Sequence, residues 1–283
     1  MRLFSSTLIL YLSLVLSGCS NLTSLFFYPQ KHYLRTPEDI NLAYEEVITQ
    51  AADGTELVSW FLPATVQSEQ YDSFSAKNQP PIVLFLHGNA ENISTHIGSV
   101  YWLPEQGVSV YLLDYRGYGH SQGKAYIPAI FQDVEASLIW LRQRFPKRNI
   151  YILGQSIGSA IAATSMAMFK TEYNLSGLIL DSSFTGYRDI AQYATASSLF
   201  TWIMWPFTWL IPTQWDPKHY IAQISPKPIL MFHSEDDGIL PYELGRELYL
   251  EAKQPKLWQV SEGGHIQTFN SEKYRKILLE FLI

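Results

Sequence analysis

The stretch NIYILGQSIGSAIAA, residues 149–163, changes character twice within fifteen residues. It opens as a short apolar run, Ile150-Tyr151-Ile152-Leu153, of the kind that forms a buried strand. It turns at Gly154-Gln155-Ser156-Ile157-Gly158 and then becomes Ala-rich and helix-prone. A strand, a sharp turn and a helix, with G-x-S-x-G at the turn, make a nucleophile elbow. A serine at the top of such a turn sits in strained backbone geometry with its Oγ exposed. The flanking positions are glycine because a Cβ there would strike the neighbouring strand or helix. The helix that begins beyond the serine aims its N–H groups and positive dipole end at the same point. The pentapeptide alone also occurs in ordinary glycine-containing loops; the strand before it and the helix after it give it meaning.

Outward from the elbow, strands and helices alternate. Residues 42–50 and 56–62 read as two strands joined by Ala51-Ala52-Asp53-Gly54, and Asp-Gly is a strong hairpin signal. Residues 63–80 are polar and read as an exposed connector. PIVLFL at 81–86 is a continuous apolar run, typical of a strand buried on both faces of a parallel sheet. Helix-like residues follow to about 106, then a buried strand at 108–113. Residues 130–145 form an amphipathic helix with Val134, Leu138 and Leu141 on one face. Further strands are expected at 175–180, 228–232 and 256–260, and helices at 242–252 and 272–282. The alternation predicts an α/β fold with a mostly parallel, doubly wound sheet of about eight strands.

Composition narrows the function. The chain has 283 residues, 47% hydrophobic and 14% aromatic, enough for one large α/β domain with a full core. Its net charge is −6 and it carries no basic cluster, so nucleic acid is not an expected partner. Cys19 is the one cysteine, which excludes a disulfide framework within the chain and a cysteine metal cluster. The seven histidines show no metal-ligand spacing, so neither a metal nor another cofactor is expected.

A serine hydroxyl needs a base to take its proton, and the base needs a partner to hold its tautomer. Downstream of Ser156 lie His219, His233 and His265. His265 follows Gly263-Gly264 just after the last strand, on a loop at a strand's C-terminal edge, and is the candidate base. His233 closes a strand, and His219 lies in a Trp-rich insertion. The acid belongs after the preceding strand, where Glu235-Asp236-Asp237 offers three carboxylates in a row. The residues alone do not choose among them. Asp181 is a fourth candidate, although its position also suits a turn or helix cap. An oxyanion hole needs two backbone N–H groups. Ile157, after the serine, supplies one; the loop His87-Gly88-Asn89-Ala90 supplies the other, from Asn89.

With these pieces assembled, the sequence resembles the α/β-hydrolase family. It looks closest to a small-lid branch that includes bacterial exported hydrolases and eukaryotic protein-depalmitoylating hydrolases. The shared motifs are LFLHGNAENIS (84–94), LLDYRGYGHSQG (112–123), LGQSIGSAIA (153–162), LILDSSFTG (178–186), HSEDDGILPYELGRELY (233–249) and PKLWQVSEGGH (255–265). The resemblance runs from about residue 45 to the end. The family pattern H-G-x-x-D-x-x-V-P, laid on this chain, implies that the acid is Asp237, with Asp236 second. Ser234 stands where the family has glycine, Leu240 where it has valine, and Ile266-Gln267 where it often has Asn-Asp. The resemblance implies hydrolysis of an ester or thioester through an acyl-enzyme. Peptide hydrolysis is a rival, because related sequences include serine aminopeptidases. A non-catalytic envelope-binding protein on the same fold is another. Serine at the elbow disfavours dehalogenase and epoxide hydrolase chemistry, which uses Asp there.

Two segments lie outside this frame. Residues 1–20, MRLFSSTLILYLSLVLSGCS, place Arg2 before an apolar run and small residues after it, the layout of a secretory signal peptide. The run is short of the roughly 20 apolar residues a spanning helix needs. Leu16-Ser17-Gly18-Cys19 resembles the bacterial lipobox, which implies cleavage before Cys19 and lipidation of that residue. By the same resemblance to bacterial lipoproteins, Ser20 rather than Asp after the cysteine implies the outer membrane of a bacterial cell envelope, on its periplasmic face or at the surface. The expected organisation is therefore a signal at 1–18, a tether at 19–41 whose Leu25-Phe26-Phe27-Tyr28-Pro29 tucks aromatic side chains against the domain, and a hydrolase domain at 42–283, with a cap insertion at about 184–226. Within the insertion, LFTWIMWPFTWLIPTQW (199–215) holds four of the eight tryptophans. Trp202, Trp205, Phe207 and Trp209 are candidate lid residues, as an acyl-binding wall or a membrane-facing surface; the plainer reading is that they pack the cap onto the domain. The expected partners are a small-molecule or lipid ester and, through the anchor, the membrane. A monomer is expected.

Overall fold

The computed structural model describes residues 22–65, 79–196 and 199–282. Its elements run in the order β1 (Tyr28–Pro29), β2 (Glu45–Gln50), β3 (Glu56–Leu62), β4 (Ile82–Leu86), β5 (Ala90–Glu91), α1 (Ile93–His96), β6 (Ser109–Leu113), α2 (Ala129–Arg144), β7 (Ile150–Gln155), α3 (Ile157–Phe169), β8 (Gly177–Asp181), α4 (Tyr187–Ala196), α5 (Leu199–Trp202), β9 (Ile229–Ser234), α6 (Tyr242–Glu251), β10 (Lys256–Ser261) and α7 (Glu272–Leu282). Eight strands form one sheet in the order β10-β9-β8-β7-β4-β6-β3-β2. β3 pairs antiparallel with β2 and β6, and the remaining pairs are parallel.

The apolar runs explain this arrangement. Every residue of β4 is fully buried. Ile82, Leu84 and Leu86 join the core under α2 and α3, while Val83 and Phe85 join the core under α7 and the 93–103 segment. A strand that is apolar on both faces is stable only between two layers of helix. Each fully buried Leu, Ile or Phe contributes roughly 1.5–3 kcal/mol of transfer free energy.

β4 lies between β7 and β6, the point at which chain order reverses across the sheet. In open α/β sheets the crevice for a ligand opens at the carboxyl ends of the strands near such a point. The loops that leave β4, β7, β8, β9 and β10 carry His87–Ala90, Ser156, Ser182, Asp237 and His265, so the candidate residues share that edge.

Two expectations are corrected. The helix expected up to about residue 106 is broken into α1 and short 3-10 turns at Ile97–Ser99 and Pro104–Gln106. Gly98 weakens it and Pro104 brings no N–H to continue it. Asp181 is neither a turn nor a cap residue: it ends β8, fully buried. Residues 22–41, expected as a tether whose aromatics tuck against the domain, pack there. Thr23 Oγ1 bonds to the backbone of Ile127 in both directions. Phe26 packs on Tyr187 at 5.6 Å, and Phe27 meets Tyr118 edge-on. β1 pairs with β5 in a parallel two-stranded sheet. The lipobox and Cys19, and most of the 63–80 connector, fall outside the described residues. Among the described residues, no helix is long and apolar enough to cross a membrane.

Candidate active site

Ser156 sits at φ 56°, ψ −125°, a backbone conformation that costs a non-glycine residue about 1–3 kcal/mol unless its surroundings hold it. They do. Its N–H donates to the Asp181 carbonyl (3.0 Å), and its carbonyl accepts from Ser159 N–H (2.9 Å) and Ser159 Oγ (2.6 Å). The two flanking glycines are required by close approach. A Cβ on Gly154 would lie 2.2 Å from the Gly158 carbonyl oxygen, and one on Gly158 would lie 2.1 Å from the Leu86 carbonyl oxygen. β7, α3 and β4 therefore converge on the serine at distances that only glycine permits.

His265 leaves β10 through Gly263-Gly264. Its Nδ1 lies 2.8 Å from Asp237 Oδ2 and 3.0 Å from Oδ1. Asp237 also accepts the N–H groups of Ile239 and Leu240, both at 2.9 Å. Burial works to raise the Asp237 pKa, but the His265 hydrogen bond and charge, with those two N–H groups, outweigh it and bring it to about 2. An ionised carboxylate only accepts, so Nδ1 carries the proton and Nε2 is left as the basic nitrogen. Glu235 and Asp236, the competing carboxylates, are exposed. Asp237 alone of the three meets the histidine. His233 stays buried in β9, with Nε2 on the Leu240 carbonyl at 3.1 Å and its Nδ1 edge against Gly245; burial lowers its pKa. His219 lies in the cap.

A buried polar network joins the serine turn to the histidine loop, and sequence reasoning missed it. Asp181 accepts from Gln155 Nε2 (2.8 Å) and from Thr268 Oγ1 (2.7 Å). Burial raises its pKa to about 6. Ser182 Oγ accepts the Ile266 N–H at 3.4 Å. Ser234, in place of the expected glycine, donates its hydroxyl to the Gly263 carbonyl and so ties β9 to the histidine loop. Gln267, where the family often has Asp, accepts the Gly264 N–H at 3.2 Å.

The loop after β4 folds over the serine: a Cβ on Gly88 would sit 3.6 Å from Ser156 Cβ. His87 Nδ1 donates to the Gly88 carbonyl (2.8 Å), which holds the peptide plane carrying the Asn89 N–H. Ile157 is the first residue of α3, where N–H groups have no partner inside the helix. Ile157 follows the serine directly, and Asn89 follows the Gly88 that approaches it. Among the described residues no group of three His, Cys, Asp or Glu could hold a metal ion.

The cap spreads its aromatics outward. Trp202, Phe207 and Trp209 are 64%, 57% and 58% exposed. Trp205 is half-buried and meets Trp209 edge-on at 6.4 Å. Packing the cap onto the domain falls instead to Tyr187, Thr208, Ile211 and Trp215. Arg188 ties the segment down, donating to the Trp209 and Ile211 carbonyls with its guanidinium over the Trp209 ring.

A doubly wound sheet with an elbow serine at the carboxyl end of its central strands, and a His–Asp pair two loops away, defines an α/β-hydrolase. The family model described as Serine aminopeptidase, S33 matches residues 77–225, and the chain belongs to that family of α/β-hydrolase enzymes. It is 31% identical to the uncharacterized protein YfhR of Escherichia coli K12, over 97% of this chain and 94% of that one. It is 28% identical to the lysophosphatidylserine lipase ABHD12 of Danio rerio over 79% of its own length and 59% of that protein's. Among solved structures, the Pyrococcus furiosus esterase Pf2001 superposes with a TM-score of 0.70 at 21% identity, covering 90% of this chain and 98% of that one.

Proposed function

We propose that the protein hydrolyses carboxylic ester or thioester bonds, in acyl lipids or other acylated substrates, through an acyl-enzyme on Ser156. The observation that carries this is the Asp237–His265 pair, with Nδ1 at 2.8 Å from the carboxylate, on a loop tied through Asp181 to the strained serine turn. Ser156 Oγ attacks the acyl carbonyl while His265 Nε2 takes its proton. The Asn89 and Ile157 N–H groups receive the developing oxyanion. His265 then returns the proton to the departing alcohol or thiol. A water enters by the same base and releases the acid. The name of the lysophosphatidylserine lipase relative supports an acyl-lipid substrate. A fluorophosphonate probe tests the reading. It should label the wild type and fail on Ser156→Ala; no labelling of the folded wild type would leave a binding protein on a hydrolase fold.

The same proposal places the enzyme at a membrane. Cys19 carries the lipid after removal of 1–18, in the outer membrane of a bacterial envelope, and 42–283 forms the catalytic domain. Residues 199–215 contain no Asp, Glu, Lys or Arg. An apolar, charge-free cap surface on a chain whose start is lipidated suits a bilayer as its neighbour, with Trp202, Trp205, Phe207 and Trp209 facing acyl chains. The family's description supports a second reading, peptide hydrolysis. Aminoacyl p-nitroanilides tested against p-nitrophenyl esters and lysophospholipids separate the two.

A further inference from the structure

The oxyanion loop is held from outside the hydrolase core. The carbonyl of Asn89 accepts two donors: the Tyr28 N–H at 2.8 Å and the Tyr118 hydroxyl at 2.6 Å. One step on, Gln30 N–H donates to the Glu91 carbonyl at 3.1 Å, closing the β1–β5 pairing. Glu91 adopts φ 63°, a left-handed conformation that a glutamate rarely takes and that this pairing encloses. Asn92 then clasps the strap from the other side. Its Nδ2 donates to the carbonyls of Gln30 (3.1 Å) and His32 (2.8 Å), while its Oδ1 caps α1 by accepting the Ser94 N–H. Leu34 N–H reaches Ser94 Oγ at 2.9 Å, Gly119 N–H donates to the Gln30 carbonyl at 2.9 Å, and Tyr33 donates to Asp114.

We infer that residues 28–34 are a strap that positions the oxyanion loop, with the Tyr28 N–H and the Asn92 amide as its positioning groups. The inference rests on the assignment of Asn89 as an oxyanion donor. The Asn89 N–H and carbonyl belong to successive peptide planes that meet at one Cα. His87 holds the first plane and the strap holds the second, so neither can swing without breaking a hydrogen bond. Preorganised donors are what an oxyanion hole supplies, because donors already aimed need no reorganisation when charge develops. Tyr28 stands nine residues after Cys19. The segment that would lead from the membrane therefore ends in a contact with the reaction centre's own loop.

The test separates aim from folding. Tyr28→Pro deletes the N–H, whereas Tyr28→Phe keeps it and serves as the conservative partner; the Tyr28 side chain is exposed. Asn92→Asp keeps the cap oxygen and replaces the two amide donors by an oxygen facing two carbonyls. Each full-length variant is assayed with p-nitrophenyl butyrate and with its thionoester analogue, whose sulfur accepts hydrogen bonds poorly. A well-aimed hole favours the oxygen ester. Both disrupting variants should lower kcat on the ester by about 10-fold to 100-fold, with KM within about threefold, and should lower the ester-to-thionoester ratio about tenfold, while Tyr28→Phe matches the wild type. An unchanged ratio in a folded Tyr28→Pro or Asn92→Asp, whether or not kcat falls, overturns the strap as a positioning device. Ser156→Ala in parallel tells the two failures apart. If it is inert while the strap variants behave as wild type, only the strap inference falls. If it stays active, the site assignment falls instead.

Discussion

Asp237 and His265 are 28 residues apart in sequence and 2.8 Å apart in space, and the carboxylate is wholly buried while the imidazole keeps a small exposed edge. The pairing divides the ring. One nitrogen is committed to the carboxylate, which leaves the other without a part in that pairing. Charge on Asp237 favours the imidazolium that forms when His265 takes a proton.

Replacing Ser156 with Ala should lower kcat for ester hydrolysis by on the order of 10⁴-fold or more. Alanine also lacks the Oγ but occupies the same backbone, so thermal unfolding should change little. Retained turnover in a purified, folded Ser156→Ala would remove the nucleophile assignment.

Among the acids, Asp237→Asn should cost about 10³–10⁴-fold in kcat, because an amide can turn its donor to Nδ1 and stabilise the wrong tautomer. Asp236→Asn, at an exposed position, should cost little, and Asp181→Asn should fall between. Kinetics on the three variants check the order. A larger loss at Asp236 would shift the acid by one residue.

The buried Asp181 gives a pH signature of its own. Burial raises its pKa to about 6 in the folded chain, against about 3.9 when unfolded. The folded state therefore favours the protonated acid. The stability that this contributes is present below about pH 3.9 and is lost as pH rises through about 6. Asn cannot ionise. The difference in Tm, Asp181→Asn minus wild type, should move in the variant's favour between about pH 4.5 and about pH 7.5. Melting curves that keep a constant difference across that range would mean that Asp181 ionises in the fold as readily as in the open chain.

The cap makes a substrate-dependent prediction. Trp202→Glu and Phe207→Glu change exposed residues, so hydrolysis of a soluble short-chain ester should stay within about threefold of wild type. Hydrolysis of a lysophospholipid presented in vesicles should fall about tenfold or more if the cap rests on the bilayer, since each charge opposes insertion at the interface. Equal rates on vesicles would return these side chains to solvent.

How far the sequence spoke depended on how local the physics was. The elbow was readable because the strand–turn–helix pattern is local and Gly154 answers a contact within that unit, against Gly158; only Gly158 answers a distant strand, at Leu86 of β4. The β4 strand was readable because burial on both faces leaves no polar position. The acid's register came only from resemblance: three adjacent carboxylates look alike until β9 and β10 set one of them against His265. Asp181 was misread because its partners, Gln155 and Thr268, lie 26 and 87 residues away. The aromatics of 25–29 were legible as packing against the domain, but the β1–β5 pairing was not, for the same reason. A two-residue strand has no periodicity, and its partner, Ala90-Glu91, lies far away in the sequence.

The anchor can be separated from the enzyme. In the proposed anchor, the Cys19 thiol is the one group of Leu16-Ser17-Gly18-Cys19 that can form the thioether lipidation requires, and serine cannot replace it in that step. Cys19→Ser should leave an unprocessed precursor that takes up no palmitate label, while the wild type labels and partitions into a detergent-rich phase. A chain beginning at Asn21 keeps Thr23, Phe27, Tyr28 and the β1–β5 pairing, so it should fold and hydrolyse small soluble esters with a kcat near that of the anchored protein. Its rate on vesicle-bound lipid should drop, because losing the acyl chains removes about 0.8 kcal/mol of membrane affinity for each buried CH₂. Equal palmitate labelling of wild type and Cys19→Ser would refute lipidation at this residue. A folded Asn21 chain that is inactive on soluble esters would mean that residues before the strap, or the bilayer itself, complete the site.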